Sequence, residues 1–153
     1  FTYGGQVFST SDYTIGDSMI VETGSTYQLF ANALSGADQT GNMHATSSDG
    51  VSFTTASDNI TFKPQADGVV QTFSNALAND PGVMRIYTYP HNPNPFNAIN
   101  SFTSTDGITW TADAGTRLTP DASNGVESGN VKDPAVTKLS NGNYLMIYST
   151  EIP

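Results

Sequence analysis

Cysteine is absent from all 153 positions, which excludes a disulfide scaffold, a zinc ribbon and a thiol nucleophile. Basic residues are almost as scarce: five Lys and Arg stand against 14 Asp and Glu, a formal net charge of −9. A chain with so little positive charge cannot neutralise a phosphate backbone or hold to an anionic bilayer, so nucleic acid and membrane surfaces are excluded as partners. No apolar run nears the roughly 18 residues of a membrane span. Charged residues make up only 12% of the chain, whereas Ser, Thr and Asn fill 49 positions. That balance favours exposed β-sheet and turns and excludes a helical bundle or coiled coil. What is present, 37% hydrophobic and 10% aromatic residues, suffices for the core of one domain. Neutral or cationic ligands remain compatible with the charge.

The chain repeats itself. Ser47-Ser48-Asp49-Gly50-Val51-Ser52-Phe53-Thr54 aligns without a gap on Ser104-Thr105-Asp106-Gly107-Ile108-Thr109-Trp110-Thr111, at an offset of 57 residues. A β-forming segment precedes each copy, Tyr27 to Ala31 and Val83 to Tyr89, and a third lies at Tyr144 to Tyr148. Each of these follows a short strand-like run opened by an aspartate, Asp17, Asp67 or Asp133. Every unit therefore reads as strand, tight turn, strand, polar loop, strand, Asp-Gly turn and strand. Four antiparallel strands repeated in tandem are the mark of a propeller blade. The expected fold is all-β and propeller-like: blades near residues 17–64 and 67–118, and a partial blade from 131 to 153, within one propeller-type domain or fragment. A β-sandwich is the alternative.

In such a meander the loop entering the first strand and the loop between the second and third strands open on one face, while the Asp-Gly turns open on the other. Asp49 and Asp106 are thereby turn-fixing residues, and Phe53 and Trp110 are packing aromatics between blades. Asp17, Asp67 and Asp133, each at the start of an innermost strand, are expected to point toward the axis on one face. Convergent carboxylates are what cleavage of a glycosidic bond requires, one protonated to supply the leaving oxygen and one ionised to activate water or attack the anomeric carbon. Repulsion between them separates their proton affinities. Capping of backbone amides is the simpler use of an aspartate at such a junction. Glu127 shares the entry loop of the third unit with Asp133. Substrate-binding candidates are His44, Arg85 and, in the stretch Tyr87 to Phe96 with its three prolines, Tyr89 and His91. Arg85 can pair with an acidic neighbour or take a substrate carboxylate. No phosphate-binding glycine loop, serine-nucleophile elbow or two-histidine metal spacing is found, and no cofactor is expected. Asp121-Ala122-Ser123-Asn124-Gly125 has part of the composition of a calcium loop, making Ca²⁺ a weak candidate.

The run Asp133-Pro134-Ala135-Val136 through Asn143-Tyr144-Leu145-Met146-Ile147-Tyr148 and the run Ser104 to Trp110 resemble blade motifs of the five-bladed propeller glycosidases, the superfamily of arabinanases, β-xylosidases and invertases. The Asp-Gly turns also resemble the Asp-box of sialidase-type propellers, which has one more residue between Asp and Gly. The glycosidase resemblance implies an aspartate base or nucleophile, a second aspartate tuning the acid, and a glutamate acid on successive blades. Asp17 and Asp67 match the first two places. Asp133 departs from the third, where Glu127 is the substitute. An oligo- or polysaccharide partner and a secreted or periplasmic location follow as expectations, alongside a non-catalytic sugar-binding or protein-interaction propeller as alternatives. The first residue is Phe1 rather than Met, so removal of a signal peptide or a longer parent protein is expected. Two units and a partial third leave edges that a second copy in a homodimer, or further blades, would cover.

Overall fold

The computed structural model describes residues 4–9, 14–35, 38–56, 70–80, 82–92, 97–127 and 129–151. Among the described residues, ten strands form three antiparallel sheets. The first has the order β1 (Thr14–Thr23), β2 (Thr26–Ser35), β3 (Asp38–Ser47), β4 (Thr54–Thr55). The second repeats it with β5 (Val70–Asp80), β6 (Val83–Asn92), β7 (Asn100–Ser104) and β8 (Thr111–Ala112). The third holds β9 (Val131–Lys138) and β10 (Tyr144–Thr150). These are propeller-like blades, two complete and one partial. Among the described residues the only helical piece is a single 3₁₀ turn, Ala122–Asn124.

The first strands of successive blades are neighbours: β1 touches β5, and β5 touches β9. They are the innermost strands. Blades pack through alternate side chains, as the period-two geometry of a strand dictates. On β2, Phe30 faces the second blade, while Leu29 and Ala31 face away from it. Between blades one and two lie Met19, Val21 and Phe30 against Met84, Ile86 and Phe102, with Trp110 edge-on to Phe30 at 5.5 Å. Between blades two and three, Tyr87 and Ile99 meet Val131 and Val136. The outward face of blade one, with Leu29, Ala31, Met43 and Ala45, is capped by Phe8 and Phe53. There the N-terminal segment lies alongside the fourth-strand region, and the Phe53 amide donates to the Val7 carbonyl at 3.5 Å. The segment contributes packing and this bond, and residues 4–9 form no strand.

The 57-residue repeat has one local cause in both blades. Ser47 Oγ accepts from the Gly50 amide at 2.9 Å and donates to Asp49 Oδ1 at 2.8 Å, and that same oxygen accepts from the Val51 and Ser52 amides, both at 2.8 Å. Ser104 and Asp106 do the same for Gly107, Ile108 and Thr109 at 2.7–2.9 Å. Donated backbone N–H groups stabilise the ionised carboxyl. They hold Asp49, chiefly through Ser52 and Val51, and Asp106, chiefly through Thr109 and Ile108, down at about 2.

Candidate functional site

Each innermost strand is bulged. On β1 the register jumps between Ile15 and Ser18, so Gly16 and Asp17 together face Asn32 of β2. On β9 the jump falls between Lys132 and Ala135, so Asp133 and Pro134 face Tyr148 of β10. On β5 one such jump leaves Ser74 as the extra residue. A bulge unpairs one residue and re-aims its side chain, and such features gather beside active sites. Two of the three thus turn out an aspartate, and both aspartates are exposed. Asp17 is steadied by the Asn32 amide, whose Nδ2 donates to Asp17 Oδ2 at 3.4 Å from a buried position. Asp133 has φ 51°, the sole non-glycine residue with positive φ among the described residues. Aspartate tolerates that region better than most side chains, at a cost that a packed neighbourhood must overcome.

Glu127 approaches the third blade from its entry loop, which is folded by its own side chains. Asp121 Oδ1 accepts from the Ser123 amide at 3.0 Å and so caps the 3₁₀ turn, while Asn124 Oδ1 accepts from the amides of Val126 at 2.8 Å and Glu127 at 3.2 Å. The Glu127 carboxylate is 5% exposed and accepts two hydrogen bonds, from the Asp121 amide on one oxygen and from the Tyr148 hydroxyl on the other. These donors, the Asp121 amide first, push its proton affinity below the usual glutamate range, and the same contact raises that of Tyr148. The structure therefore associates Glu127 with the blade of Asp133, through the β10 residue opposite the bulge.

The other candidates are distributed differently. Asp67 and residues 93–96 lie outside the described residues. The hairpin ends Thr23 to Thr26 and Asp80 to Val83 are 57 residues apart, so the place of Asp17 in blade two falls on Ser74. His44 lies inside β3 rather than at its start and is buried: its ring stacks on Phe30 at 4.9 Å and its Nε2 donates to Gln28 Oε1 at 3.0 Å. This follows from β3 starting at Asp38, ahead of the polar residues read as loop. Tyr89, which the sequence places both at the end of a β-forming segment and in the proline-rich stretch, lies within β6 and is 6% exposed; His91 is the penultimate residue of the same strand. Arg85 takes the first of its two options, with Nε 2.9 Å from Asp113 Oδ2, an oxygen that also accepts from Ser101 Oγ at 2.5 Å. Asn32, Asp113 and Tyr148 were not among the sequence candidates. Their roles depend on strand register, which no local motif announces. The Asp121 carboxylate is engaged by Ser123, and among the described residues no three acidic or histidine side chains are grouped to share a metal ion. Nor is any described helix long and apolar enough to cross a membrane.

No protein-family model and no curated protein sequence matches the chain. Solved structures do. The native arabinanase of Bacillus subtilis superposes with TM-score 0.58 at 22% identity, over 89% of this chain and 48% of that one. A GH43 endo-arabinanase from Bacillus licheniformis gives 0.60 at 20%, over 90% and 48%. A GH43 β-xylosidase/α-arabinofuranosidase from a compost microbial metagenome, solved with xylotriose in a calcium-free form, gives 0.61 at 10%, over 90% and 43%. At these identities the likeness is one of fold, and the chain spans less than half of each of these proteins.

Proposed function

We propose that the chain is part of a carbohydrate-active propeller, glycoside hydrolase-like, that acts on glycosidic bonds through carboxylates carried by its innermost strands. The observation that carries this reading is the pair of bulges that turn Asp17 and Asp133 out of strands lining one axis. A pair of carboxyls is the set of groups that cleavage of a glycosidic bond requires. The fold shared with an arabinanase and a β-xylosidase supports pentose-containing oligo- or polysaccharides as the substrate class. Five blades in the whole propeller, secretion, and cover for the third blade by a second copy or further blades belong to the same reading.

Glu127 favours a second reading, a sugar-binding propeller without turnover. A carboxylate already accepting two hydrogen bonds is poorly placed to give up a proton, and ionised acceptors suit sugar hydroxyls. Chromogenic arabinofuranosides, xylosides, fructosides and galactosides, offered to the protein and to its Asp17→Asn and Asp133→Asn variants, separate the two. Release of chromophore that both substitutions reduce at least a hundredfold supports the enzyme. Binding without release supports the lectin-like alternative, and the absence of both with every sugar refutes the carbohydrate reading.

A further inference from the structure

The Tyr148 to Glu127 contact joins an entry loop to a strand, and its two sides are fixed independently. On the strand side, Tyr148 is half-buried with its ring packed on the cluster of Tyr87, Ile99, Val131 and Val136, which limits the places its hydroxyl can reach. In the register it is the β10 residue that faces the Asp133–Pro134 bulge. On the loop side, Asn124 holds the Glu127 amide and the Asp121 amide holds the carboxylate, so the loop from 121 to 127 closes on itself. Two donors, one from each side, satisfy both carboxylate oxygens. Asp133 presents the contrasting environment: it is exposed, on the bulge itself.

We propose that Tyr148 is a positioning residue, holding Glu127 beside the Asp133 bulge as a fixed, ionised acceptor, so that proton donation at the site falls to another carboxyl. This rests on the reading of Asp133 and Glu127 as parts of one sugar site. The division of labour is the one any two-carboxylate site requires, set by environment rather than by residue type. Tyr148 is suited to it because its hydroxyl donates to the Glu127 carboxylate, and that contact makes the phenol harder to deprotonate.

The chain has three glutamates, Glu22, Glu127 and Glu151, so carboxyl-labelled protein gives a resolvable NMR titration, with Glu127→Gln assigning its signal. Removing one of two donors in Tyr148→Phe is expected to raise the Glu127 midpoint in a protein that keeps its amide spectrum. An unchanged midpoint in the folded variant overturns the proposal. If Tyr148→Phe fails to fold, the reciprocal measurement decides: Glu127→Gln should lower the Tyr148 ring titration, and no movement refutes the contact. The functional arm uses the chromogenic panel and xylotriose binding. The acid limb of turnover or binding should move upward in Tyr148→Phe by the same interval as the Glu127 midpoint, whereas a merely structural role lowers the amplitude and leaves the limb in place. A shifted Glu127 titration in a protein that neither binds nor cleaves any of these sugars keeps the positioning role and sinks the carbohydrate reading.

Discussion

The amide oxygen of Gln28, on β2 of the first blade, presses so closely on the turn of the second that a Cβ built on Gly107 would stand 2.2 Å from it. Gln28 cannot swing aside cheaply. It is buried, its Oε1 accepts from His44 at 3.0 Å and its Nε2 donates to Thr23 Oγ1 at 2.9 Å. Gly107 also has φ +77°, a conformation that disfavours any Cβ. Gly107→Ala should therefore cost about 2–4 kcal/mol, adding overpacking to backbone strain. At the matching Gly50 the nearest obstacle is the Tyr27 ring at 3.3 Å, and Gly50→Ala should cost about 1–2 kcal/mol. Urea denaturation of both variants tests the ranking.

Phe30 is the aromatic centre of the interface between blades one and two, stacked on His44 and edge-on to Trp110. It is fully buried, so Phe30→Ala should lower the unfolding free energy by about 3–5 kcal/mol. A loss below ~1 kcal/mol would mean that the blades do not pack through this face.

The Asp-Gly turns make stability fall in acid. Asp49 and Asp106 are held at about 2 in the folded chain, against the ordinary 3.8. A depressed carboxyl stabilises the fold fully above its unfolded value and loses that contribution as pH falls toward the folded one. The contribution should accordingly be present above about pH 4 and decline between pH 4 and pH 2. In Asp49→Asn and Asp106→Asn the denaturation midpoint should decline less over that window than in the parent.

Much of this was legible in the sequence because it is local. A serine, an aspartate and a glycine set a turn within four residues, so the repeat of residues 47–54 at 104–111 declared two blades before any coordinates. Trp110 was likewise placed between blades by its distance from that turn. Register was not legible. Three aspartates upstream of apolar runs look equivalent on paper, yet the residue that shares the place of Asp17 in blade two is Ser74, because bulges and hairpin ends fix the alignment. His44 reads as the first residue of its strand and Tyr89 as the junction of a strand with a proline-rich stretch, since polar and proline-rich neighbours flank them. Their strands extend further than β-propensity indicates, and packing between blades buries both.

Asp133 offers a test of strain held for function. Asp133→Gly removes the penalty of φ 51° and should raise stability by about 1 kcal/mol, or the melting temperature by about 2–4 °C. The same substitution deletes the carboxylate and should abolish any action on sugars. A residue whose loss stabilises the fold and silences activity is one kept for its chemistry.

Among the described residues, one edge of the third blade is unpaired. β10 carries no charge, proline or glycine, and among the described residues it pairs only with β9, whereas the first two blades end in the two-residue strands β4 and β8. Tyr144, Leu145 and Ile147 are 43%, 46% and 66% exposed. Long apolar edges recruit another strand. The 153-residue chain should sediment as a concentration-dependent dimer, and Ile147→Lys should shift it toward monomer. A strictly monomeric parent at high concentration contradicts this association.

Titrating the isotopically labelled chain with xylotriose and arabinotriose, and following every assigned amide by NMR, tests the carbohydrate site at the innermost strands most directly. Saturable shifts should concentrate on Asp17, Asn32, Asp133 and Tyr148 and disappear in Asp133→Asn. Shifts confined to the Asp-Gly turns on the opposite face, or none with either sugar at millimolar concentrations, would contradict it.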